Sequence, residues 1–150
     1  MKNGDMTNAN GTKPRIVVGV DGSPSSMQAL DWAARQASLT GGVVEATTTW
    51  QYPMSFGFPM PVPDDWDPEA DALKVLEGAI QEAEKAYPDV EITPRVREGY
   101  AAQVLVEASA GADLLVVGCR GHGELIGMLI GSVSEHCVAH AHCPVLIVRH

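Results

Sequence analysis

Apolar residues in this chain fall into two kinds of pattern. Short runs rich in β-formers stand at Arg15–Val20 (RIVVGV), Val43–Thr49, Val90–Val96, Asp113–Val117 and Val145–Arg149 (VLIVR). Runs of this length, bounded by glycine and proline, predict strands buried on both faces. Between them lie longer stretches with apolar residues at helical spacing. Ala29, Leu30, Ala33, Ala34 and Ala37 form one such stripe, opened by Ser23 or Ser25 as N-cap and stopped near Leu39 by Gly41-Gly42. Leu73, Leu76, Ile80, Ala83 and Tyr87 form another, opened by Asp67-Pro68. Shorter helices are expected at Ala101–Ala110 and Ser132–Ala141, the second broken by Cys143-Pro144. Strand and helix alternate throughout, which implies parallel pairing with right-handed crossovers. The expected fold is α/β: an open, doubly wound, five-stranded parallel sheet with helices on both faces. Ligands of such sheets sit at the strand C-termini, near the topological switch point. Thr93-Pro94 suits an edge strand, where a missing N–H is tolerated.

One stretch breaks the alternation. Residues 50–66 read WQYPMSFGFPMPVPDDW, with prolines at 53, 59, 61 and 63. A loop of this length is a lid over a ligand, an interaction surface, or a variable cover packed on the domain. The sequence leaves the three readings open.

Candidate chemistry concentrates in residues 113–134, DLLVVGCRGHGELIGMLIGSVS. A strand ends at Gly118, a glycine-rich turn follows, and Gly131, Ser132 and Ser134 open a helix. Glycines let the chain turn and let a ligand approach closely. A helix N-terminus presents unpaired N–H groups and partial positive charge to a phosphate. The Walker pattern is absent, since no lysine follows Lys85, and Gly121, Gly123 and Gly127 are spaced one residue too long for GxGxxG. What stands here is Gly118-x2-Gly121-x9-Gly131-Ser132. Arg120 and His122 lie inside this loop, where either would meet a phosphate or point to solvent.

This spacing resembles the nucleotide-binding signature of the universal stress protein family, G-x2-G-x9-G-[ST]. VVGVDGS at 17–23 and GSVSEHCVAHAHCPVLIVR at 131–149 are similar to that family's start and finish. The resemblance covers residues 15–150 and implies a Rossmann-like sheet of strand order 3-2-1-4-5. It implies a cytoplasmic stress-response protein that binds ATP, with Asp21 near the nucleoside, Val20 and Gly22 lining the entry, and Thr49 contacting adenine through its backbone. Gly118 ends the strand facing Asp21. Gly121, Gly131, Ser132 and Val133 would give amides to the phosphates, Ser132 and Ser134 would add hydroxyls, and Mg2+ would accompany them. On the residues alone, Asp21 is equally a turn residue opening the Ser23 helix. Family members commonly dimerise through the last strand, here 145–149, so a homodimer is expected. The function implied is a nucleotide-gated regulator with slow or no hydrolysis. Its alternative is an adaptor, its site empty or holding cyclic AMP, that acts through the 50–66 loop.

Composition narrows the alternatives. A chain of 150 residues that is 45% hydrophobic supports one domain with a real core. Residues 1–14 are polar and are expected to be a solvated, disordered tail, with no secretory leader. A net charge of −9 disfavours non-specific nucleic-acid or acidic-membrane binding, and no run approaches membrane-spanning length. Three cysteines without a CxxC fit a reducing compartment, and the protein is expected to be cytoplasmic. His136, His140, His142 and Cys143 lack zinc-site partners and are expected to pack and cap a helix end instead. Ser132 and His136 have no GxSxG elbow and no third member of a hydrolytic triad. Cys119 is read as a small, partly buried residue rather than a reactive thiol.

Overall fold

The computed structural model describes residues 11–119 and 130–149. Among the described residues, eleven elements follow in chain order: β1 (Arg15–Gly19), α1 (Pro24–Thr40), β2 (Val43–Trp50), β3 (Met54–Ser55), β4 (Phe58–Pro59), α2 (Pro68–Ala86), β5 (Glu91–Glu98), α3 (Ala101–Ser109), β6 (Leu114–Gly118), α4 (Ser132–His140) and β7 (Val145–Val148). Five strands form one parallel sheet in the order β5-β2-β1-β6-β7. Leaving aside the small antiparallel ribbon β3–β4, the sheet strands run third, second, first, fourth, fifth. The ribbon had no counterpart in the sequence reading.

The apolar runs are unbroken because both faces of the sheet are covered. Ile16 and Val18 of β1 pack with α1 and α2, while Val17 between them packs with α3 and α4. In β6, Val116 faces the first layer and Leu115 and Val117 the second. Side chains alternate with period two, so a strand covered on both sides has no polar position to offer. Pro94 pairs with Ala46 on the edge strand β5, as its missing N–H requires.

The helix ends follow their caps. The Ser23 side chain accepts the Ser26 N–H and starts α1, and Gly41, left-handed at φ 73°, ends it. Asp67 accepts the Ala70 N–H and starts α2, with Pro68 in the first turn. The Glu- and Lys-rich face of α2 is exposed, its Glu82–Lys85 pair lying at 3.1 Å in solvent.

At the N-terminal edge of the sheet, Arg15 holds three elements together. Its Nε donates to Glu45 Oε1 at 2.8 Å, and its guanidinium donates to the carbonyls of Ala108 and Ala110 at the end of α3. The Arg15 backbone N–H donates to Asp113 Oδ2. The opposite edge, where the strands end, is left for the site.

One of the three readings of the 50–66 loop is set aside. The 50–66 loop does not pack as a cover: Met54, Phe56, Phe58 and Met60 are exposed. His136 and His140 lie on α4, His140 in its last turn, and His142 stands just beyond the helix end. All three are exposed, and the first two stack ring on ring at 4.4 Å along α4. A four-residue spacing puts them on one face of a helix whose buried face is taken by Ser134 and Cys137. Among the described residues, no helix is long and apolar enough to cross a membrane.

Candidate functional site

The strand ends enclose a cleft. β1 sits at the switch point, between β2 on one side and β6 on the other. Chain leaves β1 toward one face and β6 toward the other, so a crevice opens between their C-termini. Its floor is Gly19, Val20, Val117 and Gly118, its walls are Thr47, Thr48 and Thr49 of β2 and Ala101 and Leu105 of α3, and Gly131, Val133 and Ser134 close it. The enclosed volume is about 140 Å³. Beside it, a broader groove of about 510 Å³ runs over Tyr100, Ser132 and His136, sharing Thr49, Ala101 and Val133 with the cleft.

Three helix N-termini reach the cleft, those of α1, α3 and α4, and they differ in their caps. α1 and α2 carry side-chain caps, whereas α4 starts at Gly131 and α3 at Tyr100 with no side-chain cap hydrogen bond. First-turn amides with no capping side chain, at the positive end of a helix, suit an anion.

The sequence-predicted residues are not all used as expected. Val20, Asp21, Thr49, Gly118, Gly131, Val133 and Ser134 line one cleft, although they come from four separate parts of the chain. Asp21 stands at the cleft and makes the turn, its Oδ1 accepting the Ser23 N–H at 2.9 Å. Gly22, at φ 83°, turns the chain behind Asp21 and is not among the lining residues. Ser132 is exposed and lines the neighbouring groove. The Gly131 amide is not offered to a ligand, because its N–H donates to the Cys119 carbonyl. The Ser134 hydroxyl is also engaged, donating to the Gly118 carbonyl and tying α4 to the end of β6. Arg120, Gly121 and His122 lie outside the described residues.

Thr49 gains a reason for its expected role. The Thr47 carbonyl accepts from Val20 N–H at 2.9 Å. Two residues on, the backbone groups of Thr49 face the same side, where β1 has already left the sheet.

Several cleft residues escaped the sequence reading. Ser26 accepts the Asp21 N–H and donates to the Ser23 carbonyl, holding the β1–α1 turn. Thr47 and Thr48 are buried polar residues at the end of a buried strand, and the run TTT at 47–49 was a usable signal. Ala101 and Leu105 carry no local signal, since only the packing of α3 brings them here. Cys119 is buried beside the cleft, in keeping with the structural reading of that thiol.

A profile described as the universal stress protein family matches residues 14–149. A universal stress protein of Mycobacterium tuberculosis is 37% identical over 150 aligned residues, covering 89% of this chain and 47% of the relative. The crystal structure of a universal stress protein in complex with cAMP superposes with a TM-score of 0.68 at 31% identity, covering 90% of this chain and 95% of the other. The universal stress protein of Archaeoglobus fulgidus in complex with dAMP matches with a TM-score of 0.61 at 20% identity, over 91% and 97% of the two chains, and shares the fold. The chain spans about half the length of the curated relatives it matches. With its profile match over nearly the whole chain and its sheet ending in this cleft, the chain belongs to the universal stress protein family.

Proposed function

We propose that this domain binds an adenine nucleotide in the cleft between β1 and β6, with ATP as the physiological ligand, and acts as a nucleotide-gated regulator of a stress response. The observation that carries the reading is the α4 N-terminus. Its first turn reaches the cleft without a capping side chain, at the C-terminal ends of a parallel sheet. The amides of Ser132, Val133 and Ser134 hold the phosphates, Asp21 accepts ribose hydroxyls, and the Thr49 backbone reads adenine. Each hydrogen bond to a charged phosphate contributes about 1.5–3 kcal/mol before the cost of immobilising the ligand. The related protein whose structure holds cAMP supports an adenine nucleotide as the ligand class.

Hydrolysis is slow or absent in this reading. Among the described lining residues Asp21 is the one carboxylate, and its Oδ1 already accepts the Ser23 N–H. A carboxylate held this way orients a ribose better than it activates a water. The chain works in the cytoplasm as residues 15–150 folded into one domain, and pairs with a second copy through the edge strand β7, whose Val145, Leu146 and Ile147 are only half-buried.

The test is to denature freshly purified protein, identify released small molecules by mass spectrometry, and titrate the emptied protein with ATP, AMP and cyclic AMP by calorimetry. ATP should be released and should rebind with micromolar affinity, and Asp21→Asn should weaken it about tenfold. A protein that releases nothing and gives no heat with any of the three overturns the reading. Sedimentation at micromolar concentration should show a dimer, and a monomer would remove the proposed pairing.

A further inference from the structure

Outside the cleft, the ribbon β3–β4 carries an apolar surface that its own domain does not use. Phe56 is 99% exposed and Phe58 73%, with Tyr52, Met54, Met60 and Tyr100 also exposed nearby. The ribbon is fixed rather than trailing. Met54 pairs with Pro59 and Ser55 with Phe58, and Met60 N–H donates to the Pro53 carbonyl. At its base, Tyr52 packs edge-on between Trp50, with centroids 5.1 Å apart, and Trp66, at 5.5 Å. A groove of about 550 Å³ lies between the ribbon and the end of β5, lined by Gln51, Tyr52, Met54, Pro59, Glu98 and Tyr100.

The turn at the ribbon tip is a second observation. Phe56 has φ 50° and Gly57 φ 81°. Two left-handed residues make the turn that suits a tight hairpin, and the favoured residue at the first position is asparagine, aspartate or glycine. A bulky side chain there is strained. Phenylalanine therefore occupies the one ribbon position where it is least suited to the backbone and fully exposed to water. Strain held at an exposed aromatic points to a use for the side chain rather than to folding.

Charge indicates what covers it. From residue 36 to residue 73 there is no lysine, arginine or histidine, while Glu45, Asp64, Asp65, Asp67, Glu69 and Asp71 fall in the same stretch. Asp64 and Asp65 are exposed and adjoin Trp66, which the stack on Tyr52 holds at the ribbon base. Glu98 lines the groove itself. The neighbouring cations are already engaged: Arg97 with Glu107 at 3.3 Å, and Arg95 near Glu45 at 3.9 Å. An aromatic and methionine surface rimmed by carboxylates complements a segment that is apolar on one face and cationic on the other.

We propose that the β3–β4 ribbon and its groove form a docking surface for a basic amphipathic helix of a partner protein. Phe56 and Phe58 are the anchors, Met54, Tyr52 and Tyr100 line the seat, and Asp64, Asp65 and Glu98 meet the cations. The surface does not share residues with the nucleotide cleft and stands whether or not that cleft is filled.

The test uses the full chain and a fluorescent 18-residue helix of leucine and lysine, read by anisotropy. A leucine–glutamate helix of the same length and phosphatidylcholine vesicles serve as the other probes. Phe56→Asn with Phe58→Thr keeps the net charge and suits the turn, so its melting temperature should not fall. Binding of the lysine helix should weaken at least about tenfold in that variant. Asp64→Asn with Asp65→Asn should weaken it severalfold, and Glu82→Gln with Glu84→Gln, equal in charge but on the far α2 face, by less than about twofold. Lysine-helix binding that ignores the ribbon substitutions overturns the proposal, because it is then general attraction to an acidic protein. Equal binding of the glutamate helix or of vesicles also overturns it, as does a self-association that the ribbon variant abolishes.

Discussion

Gly118→Ala should destabilise the fold through one steric contact. A Cβ built at Gly118 lies 2.2 Å from Ser25 Oγ, 2.8 Å from the Ser25 carbonyl carbon and 2.9 Å from its oxygen. The Ser25 carbonyl belongs to the first turn of α1, which the Ser23 cap and the Ser26 hydroxyl hold in place. Relief therefore requires β6 and α1 to separate by several tenths of an ångström. Overpacking of this kind costs about 1–3 kcal/mol, and a backbone obstacle places Gly118→Ala toward the upper end. At about 2–4 °C per kcal/mol for a chain of this size, the melting temperature should fall by roughly 4–12 °C. Urea denaturation measures the change, with the slope unchanged if only the native state is strained. Two controls test the cause. Gly19→Ala meets only the tip of Leu105, at 2.8 Å, and should cost less than about 1.5 kcal/mol because that side chain can turn. Ser25→Gly added to Gly118→Ala removes the hydroxyl but leaves the carbonyl, so it should recover only part of the loss. A Gly118→Ala protein within about 0.5 kcal/mol of the parent would refute the reasoning, as would full recovery in the double variant.

Two further outcomes follow from named groups. Arg15→Met should cost about 1–3 kcal/mol, because it removes charged hydrogen bonds to the α3 carbonyls and leaves the half-buried Glu45 without its closest partner; chemical denaturation would show it, and an unchanged midpoint would contradict it. Burial pushes the Cys137 thiol up to about 11 from 9.0. A folded value above the unfolded one contributes stability that is whole below pH 9 and is lost as pH rises through 11. The loss amounts to about 2–3 kcal/mol, and denaturation from pH 8 to 11 should be flatter in Cys137→Ala than in the parent.

Apart from the β3–β4 ribbon, the chain alone determined its elements, because each depended on short-range patterns. Runs such as RIVVGV admit only a strand covered on both faces. Ser23 and Asp67-Pro68 open helices by satisfying amides within the next few residues, and Gly41 closes one by accepting a left-handed backbone. Alternation of those elements then restricted the sheet to parallel pairing, and the glycine spacing drew attention to the C-terminal end of β6. The roles of individual atoms were not legible, because they are set by neighbours distant in sequence. Gly118 reads as a glycine for a ligand, yet its missing side chain is where Ser25 comes against it, over 90 positions earlier in the chain. Gly131 and Ser134 read as donors to phosphate, yet their hydrogens go to the carbonyls of Cys119 and Gly118. Ala101 and Leu105 read as ordinary helix residues and become a cleft wall only because α3 crosses the ends of β1 and β2. Local pattern selects the backbone's hydrogen-bonding state, so it is written where it acts. Which amide, hydroxyl or Cβ position remains open to a ligand depends on which distant groups have already taken it, and only the folded chain brings those groups together.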